Sequence, residues 1–128
     1  MTKDEQIDLV KRYFAAVDAE DLSGVLSTLA GDCAFSVETH NISLEGHEAI
    51  SGMLRRLWTN HKAVRHLDFV CVPDPEAGRI AARFRVQNTE LDGTVTRKSN
   101  CNFFETRAGQ FSAIAVYMAG ANTLDQAD

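Results

Sequence analysis

The side chains best suited to chemistry in this 128-residue chain are a histidine and an aspartate two positions apart, His66 and Asp68, in the run VRHLDF. In a strand, a spacing of two puts both on one face. Imidazole is a natural acid–base group because its ordinary pKa lies close to neutrality, and Asp68 would orient the ring or stabilise its charged form. The competing reading turns this pair to solvent and buries Leu67, Phe69 and Cys71. Against it, Val64, Val70 and Val72 share the parity of His66. Tyr13, on the edge of an apolar helical face, is either an acid donating to a substrate oxygen or a core aromatic with its hydroxyl at the rim. His40 belongs either at a pocket mouth or in a solvated loop. His47 and His61 bracket a helix and read as capping or surface groups. The four histidines have no HxH or HExxH spacing, so no metal is expected. Cys33, Cys71 and Cys101 are far apart, lack a CxxC pair and read as core thiols. Neither a glycine-rich phosphate loop nor a nucleophile elbow occurs, so the expected chemistry is cofactor-free.

The elements that must position these groups follow from hydrophobic period. Ile7, Val10, Phe14 and Val17 recur at spacings of three and four, giving an amphipathic helix. Thr2 with Glu5 forms a capping box at its start. After Ala19-Glu20-Asp21, a short helix carries Leu22, Val25, Leu26 and Leu29, with Gly31 expected to end it as a left-handed cap. Cys33, Phe35 and Val37 then alternate as a strand, followed by a polar loop or edge hairpin over 38–46. A third helix is expected over 47–61, with Ile50, Met53, Leu54 and Leu57 buried and Trp58 extending the stripe.

From Val64 the period becomes two. Strands are expected over 64–72, 79–89, 94–105 and 111–118. They are separated by Pro73-Asp74-Pro75-Glu76-Ala77-Gly78, which reads as a turn, by the hairpin pair Asp92-Gly93, and by Arg107-Ala108-Gly109-Gln110. Helices first and a meander afterwards predict an α+β fold: a curved antiparallel sheet wrapped on three helices, enclosing a pocket. One domain spans 1–128, with an ordered core over about 3–119 and a polar tail over 120–128.

Composition agrees. The apolar fraction is 45%, the charged fraction 24% and the net charge −5. An acidic balance argues against nucleic acid as a partner. No apolar run approaches the roughly 20 residues needed to span a bilayer, and no secretory signal pattern opens the chain. The expected location is the cytoplasm.

The chain resembles the SnoaL-like branch of the nuclear transport factor 2-like superfamily. The stretch VKRYFAAVDAEDLSGVLSTLAGDCAF is similar to that superfamily's tyrosine-bearing helix, acidic turn, leucine-rich short helix and strand. LEGHEAI resembles its entry to the third helix, and NCNFFETRAGQFSAIAVYM its final hairpin. The resemblance implies the cone-shaped fold. It leaves the activity open among isomerases, dehydratases, cyclases, hydrolases and binding modules. Relative to the steroid isomerases, Tyr13 matches the tyrosine acid, while ungapped comparison puts Val37 at the general base and Cys101 at the second acid. The steroid-isomerase mechanism is therefore disfavoured. Related dehydratases and polyketide cyclases use a histidine with an acidic or tyrosine partner, a role for which this chain offers His66.

The resemblance also implies that Cys101 and Phe103 face inward, although Asn100 and Asn102 alternate with them and could bind a polar ligand group or pair with neighbouring strands or a second subunit. Arg83, Arg85, Arg97 and Lys98 would then lie on the outer sheet face, where many members of the superfamily form homodimers.

The expected function is binding of a compact apolar or aromatic molecule. Phe35, Val37, Trp58, Cys101 and Phe103 are the expected pocket residues, with His66 as base, Tyr13 as acid, and Asp68 or His40 auxiliary. Isomerase, dehydratase, lyase and cyclase chemistry all fit. The alternative is a non-catalytic ligand-binding or dimerisation module.

Overall fold

The computed structural model describes residues 1–121 and Leu124. Thr2 opens helix α1 (Lys3–Asp18): its hydroxyl accepts from the Glu5 N–H at 3.1 Å and its own N–H donates to Glu5 Oε1 at 2.8 Å. These reciprocal bonds satisfy two of the amide groups that a helix start leaves free. The buried side of α1 carries Gln6, Leu9, Val10, Tyr13, Phe14 and Val17. Gln6 sits fully buried because its Nε2 donates to the Arg79 carbonyl at 3.2 Å, fastening the helix to the sheet.

Helix α2 (Leu22–Ser27) starts on the Asp21 carboxylate, which accepts from the Gly24 N–H. It stops at Thr28, whose hydroxyl donates to the Val25 carbonyl at 2.6 Å. Gly31 is therefore not the helix cap; it is already part of strand β1 (Leu29–Val37). A single 3-10 turn, Glu38–His40, leads to β2 (Ile42–Glu45), and Gly46 enters α3 (Gly46–Asn60) at φ +85°, a conformation that favours glycine. The sheet continues through β3 (His61–Asp74), β4 (Arg79–Glu90), β5 (Val95–Arg107) and β6 (Gln110–Tyr117).

The six strands lie in the order β2-β1-β6-β5-β4-β3, with three helices packed against them in an α+β cone. Four pairings are antiparallel. The fifth, β1 with β6, is parallel, with Phe35 opposite Ile114 and Val37 opposite Val116. The sheet is thus mixed, since the chain returns beside β1 only after the hairpins β3–β4–β5. Pro73 also lies inside β3 and not in a turn. That strand is at the edge of the sheet, the position in which a sheet tolerates proline. The expected polar tail over 120–128 falls mostly outside the described residues.

The core is aromatic at its centre. Phe104 stacks on Phe111 with centroids 4.5 Å apart, and Tyr13 meets Phe14, Phe111 and Phe104 edge-on at 4.9, 6.0 and 6.1 Å. Edge-to-face contacts of this kind add about 0.5–1.5 kcal/mol each beyond the area they bury. No helix among the described residues is long and apolar enough to cross a membrane.

Candidate functional site

A cavity lies between α1, α3 and the inner face of the sheet. Tyr13, Phe14, Phe35, Phe84 and Leu57 supply much of its apolar wall, with Leu124 also in the lining; His66, Asn88, Asn100 and Asn102 supply polar atoms. It is narrow. About 40 Å³ is open to the centre of a water-sized sphere, within about 500 Å³ of atom-free space that runs out to the mouth. The narrower figure holds about three waters.

His66 is set into this wall by the last residue of α1. The Asp18 Oδ1 lies 2.6 Å from His66 Nδ1, and Asp18 Oδ2 accepts the His66 backbone N–H at 2.8 Å. A carboxylate can only accept, so Nδ1 carries a ring proton, and in the neutral ring Nε2 is the nitrogen with the lone pair. The imidazole packs against Phe14 with ring centroids 4.5 Å apart and against Phe84 at 5.5 Å. Both side chains of this contact are largely shielded from solvent. This pair was missed in the sequence, where Asp18 is given no role.

Asp68 is not the partner of His66. Between Leu67 and Val70 the β3–β4 register shifts, and Asp68 adopts φ +58° in a bulge, exposed and away from the cavity. The bulge resets the alternation. His66 and Phe69 therefore both face inward, Phe69 contacting Phe14 at 5.3 Å, while Val70 and Val72 point out. The two readings that parity set against each other are each half right.

Tyr13 lines the cavity, is almost fully buried, and its phenol pKa is raised well above the ordinary value by burial, with the nearby Cys33 thiol adding to the shift. It stays neutral and remains a hydrogen-bond donor across the physiological range. Phe35 lines the cavity too. Val37 is buried next to it in β1 but is not among the lining residues. His40 sits in the 3-10 turn with Nδ1 2.9 Å from the Thr39 hydroxyl, away from the lining.

Three further wall assignments need correction. Trp58 is not in the wall: its indole N–H donates to the Val17 carbonyl at 3.0 Å and locks α3 to the end of α1, beside Asp18. Cys101 and Phe103 face outward, and Phe103 is 53% exposed. The cause is register: Asn102 pairs with the inward Ala82 and Asn100 with the inward Phe84, so the asparagines take the inner positions on β5. Lys98, opposite Val86, has the same parity and donates to the Ala121 carbonyl at 2.5 Å. The Asn100 amide oxygen accepts from the Ala119 N–H at 3.1 Å.

Asn88 was also missed, though the inward parity of Ile80, Ala82, Phe84 and Val86 continues to it. His61 is a cap and not a surface group: it is the C-cap residue of α3 and buried, with Nδ1 2.8 Å from the last-turn Leu57 carbonyl and Nε2 3.7 Å from Glu90 Oε2. His47 Nε2 bonds the Leu29 carbonyl at 3.0 Å, tying α3 to β1.

A family model for the SnoaL-like domain matches residues 10–114. No curated protein matches the sequence. Among solved structures, a protein from Xanthomonas campestris pv. campestris provisionally named a polyketide cyclase is similar at 22% identity and TM-score 0.82, covering 90% of each chain. TerC, co-crystallised with polyporic acid, is similar at 17% identity and TM-score 0.79, covering 90% of this chain and 92% of its own. An NTF2-like protein of unknown function from Exiguobacterium sp. 255-15 shows 18% identity and TM-score 0.76 over 88% of this chain and 99% of its own. The chain belongs to the SnoaL-like domain family, within the nuclear transport factor 2-like fold.

Proposed function

We propose that this SnoaL-like protein, with residues 1–128 acting as one domain, binds a compact, largely apolar or aromatic molecule in its cone and acts on it by cofactor-independent acid–base chemistry. Isomerisation, dehydration or another lyase step, and cyclisation are the reactions this machinery serves. One observation carries the proposal: an imidazole on the cavity wall held by Asp18 at 2.6 Å from Nδ1. In that arrangement Nε2 takes a proton from a carbon acid, Asp18 stabilises the imidazolium that forms, and the neutral Tyr13 phenol donates to the oxygen on which charge develops. Positioned general acid–base catalysis of this kind is worth about 10²–10⁴-fold. The likeness to TerC, whose crystals held polyporic acid, and to the provisionally named cyclase supports an aromatic or polyketide-like ligand.

The test replaces Tyr13 by Phe and His66 by Ala, and measures turnover over phenolic, steroid and polyketide-like substrates. Loss of turnover in both variants is expected; undiminished turnover in both would remove the assigned roles. The second reading, a non-catalytic binding or dimerisation module, is favoured by the narrow bore of the cavity. It predicts ligand binding without turnover of any panel member. We place the protein in the cytoplasm as a homodimer joined through the outer sheet face, a reading supported by exposed Val70, Val72, Phe103 and Tyr117 there.

A further inference from the structure

Asn88 is the residue that the acid–base reading leaves without a task. It ends the inward row Ala82, Phe84, Val86, Asn88 on β4, flanked across the strands by Val64 and Thr96. It is 1% exposed and lines the cavity, yet neither its Oδ1 nor its Nδ2 has a hydrogen-bond partner among the described residues. A carboxamide offers two donor and two acceptor sites, and leaving it unmet in the interior is destabilising, whereas leucine at the same place would carry no such penalty. Packing therefore gives no reason for asparagine at this position.

The unmet atoms define what would satisfy them. A carboxylate would meet Nδ2 and repel Oδ1, and an ammonium would do the reverse. Either ion would also lose its hydration among Val64, Val86 and Leu57. A neutral edge that presents a donor and an acceptor side by side meets both atoms at once. We propose that Asn88 anchors such an edge, of the lactam, carboxamide or enol–carbonyl type, on a ligand whose remaining surface is apolar. His66 lies opposite Val86, two residues along β4 from Asn88, or about 7 Å at the rise of a strand. An edge held at Asn88 thus places the adjoining ring beside the imidazole. Asn102 Oδ1 is also unpartnered among the described residues, but its rung is six residues further along, on the order of 20 Å for extended strand, beyond the reach of an edge held at Asn88. The inference rests on the cavity being a ligand site and not on any turnover by His66.

Two small probes test it. 2-Pyridone carries the neutral donor–acceptor edge and fluorobenzene is its apolar counterpart. Their Kd values are measured by amide chemical-shift titration of wild type, Asn88→Leu and Asn88→Thr. The ratio of the fluorobenzene Kd to the 2-pyridone Kd is expected to fall at least about fivefold in Asn88→Leu and less in Asn88→Thr, which keeps a hydroxyl. The Asn88→Leu Tm is expected at or above that of wild type, by up to about 4 °C. A smaller fall in the ratio, no binding of 2-pyridone to wild type, or a Tm below wild type overturns the proposal; the last would mark Asn88 as a structural residue satisfied by water. Repeating the titration with His66→Gln separates the two readings. A retained 2-pyridone preference, in a protein whose wild type shows no proton-transfer activity, removes the acid–base reading and leaves the Asn88 subsite standing.

Discussion

Asp18 holds His66 twice, through the ring and through the backbone, so its carboxylate has both a chemical and a structural task. Asp18→Asn keeps the shape and removes the charge. It is expected to cost about 1–3 kcal/mol in urea unfolding, the range for hydrogen bonds to a charged group, and to slow His66-dependent proton transfer by about 10–100-fold. Neighbouring Cys33 allows a separate check. Burial, helped by the nearby Asp32 charge, pushes its thiol up to about 11, against an ordinary value of about 8.5. Tyr13 is raised in the same direction. Both groups hold their protons more tightly folded than unfolded, so their contribution is complete below about pH 8.5 and is lost as pH rises through the folded values. Tm should be level up to about pH 8.5 and fall above it, and Cys33→Ala should make the fall between about pH 9 and 11 shallower. An equally steep fall in Cys33→Ala would contradict this.

At the scale of elements, the bulge in β3 decides what the pocket contains. Asp68 at φ +58° is in the left-handed region, where a β-branched residue is badly strained and glycine is not. Asp68→Gly should leave stability unchanged or raise it by up to about 1 kcal/mol, and Asp68→Val should lower it by about 1–3 kcal/mol. Neither should alter the proposed proton transfer by His66 while the strand stays folded. Equilibrium unfolding with proton-exchange rates on both variants checks this; an exchange loss in Asp68→Gly would restore Asp68 as a partner.

The same bulge shows where the sequence could and could not be read. Three helices, the strand-rich second half and the Asp92-Gly93 hairpin followed from period and turn chemistry, because those signals are local. The inward rank of Phe35 and Tyr13 followed as well. The identity of the His66 partner did not, since strict parity fails wherever a residue is inserted into a ladder, and no local signal joins positions 18 and 66. The inward turn of Asn100 and Asn102 was open to reading. Extending the Ile80–Val86 alternation through the hairpin register places them inside, against the ungapped comparison that favoured Cys101 and Phe103. Trp58 carried a helical-stripe signal that is correct for burial and silent about its bond to Val17.

For the whole molecule, the convex side of the sheet is where assembly is expected. Val72, 66% exposed, and Phe103, 53% exposed, stand on that face with Tyr117, whose ring meets Phe103 edge-on at 6.3 Å. Exposed apolar side chains gathered on one face mark an interaction surface. If the proposed homodimer forms there, Phe103→Asp should convert a dimer into a monomer in light scattering without disturbing the cavity. A dimer of undiminished affinity would place the contact elsewhere.

The most direct measurement on the central claim needs no knowledge of the natural reaction. The α-protons of 2-tetralone, a compact aromatic ketone, exchange with D₂O only after a base removes them, and proton NMR follows that loss. Wild type is expected to accelerate exchange over buffer by about 10²-fold or more, with His66→Gln at the buffer rate and Asp18→Asn between them. Exchange in His66→Gln equal to wild type, or wild type no faster than buffer, would contradict the account.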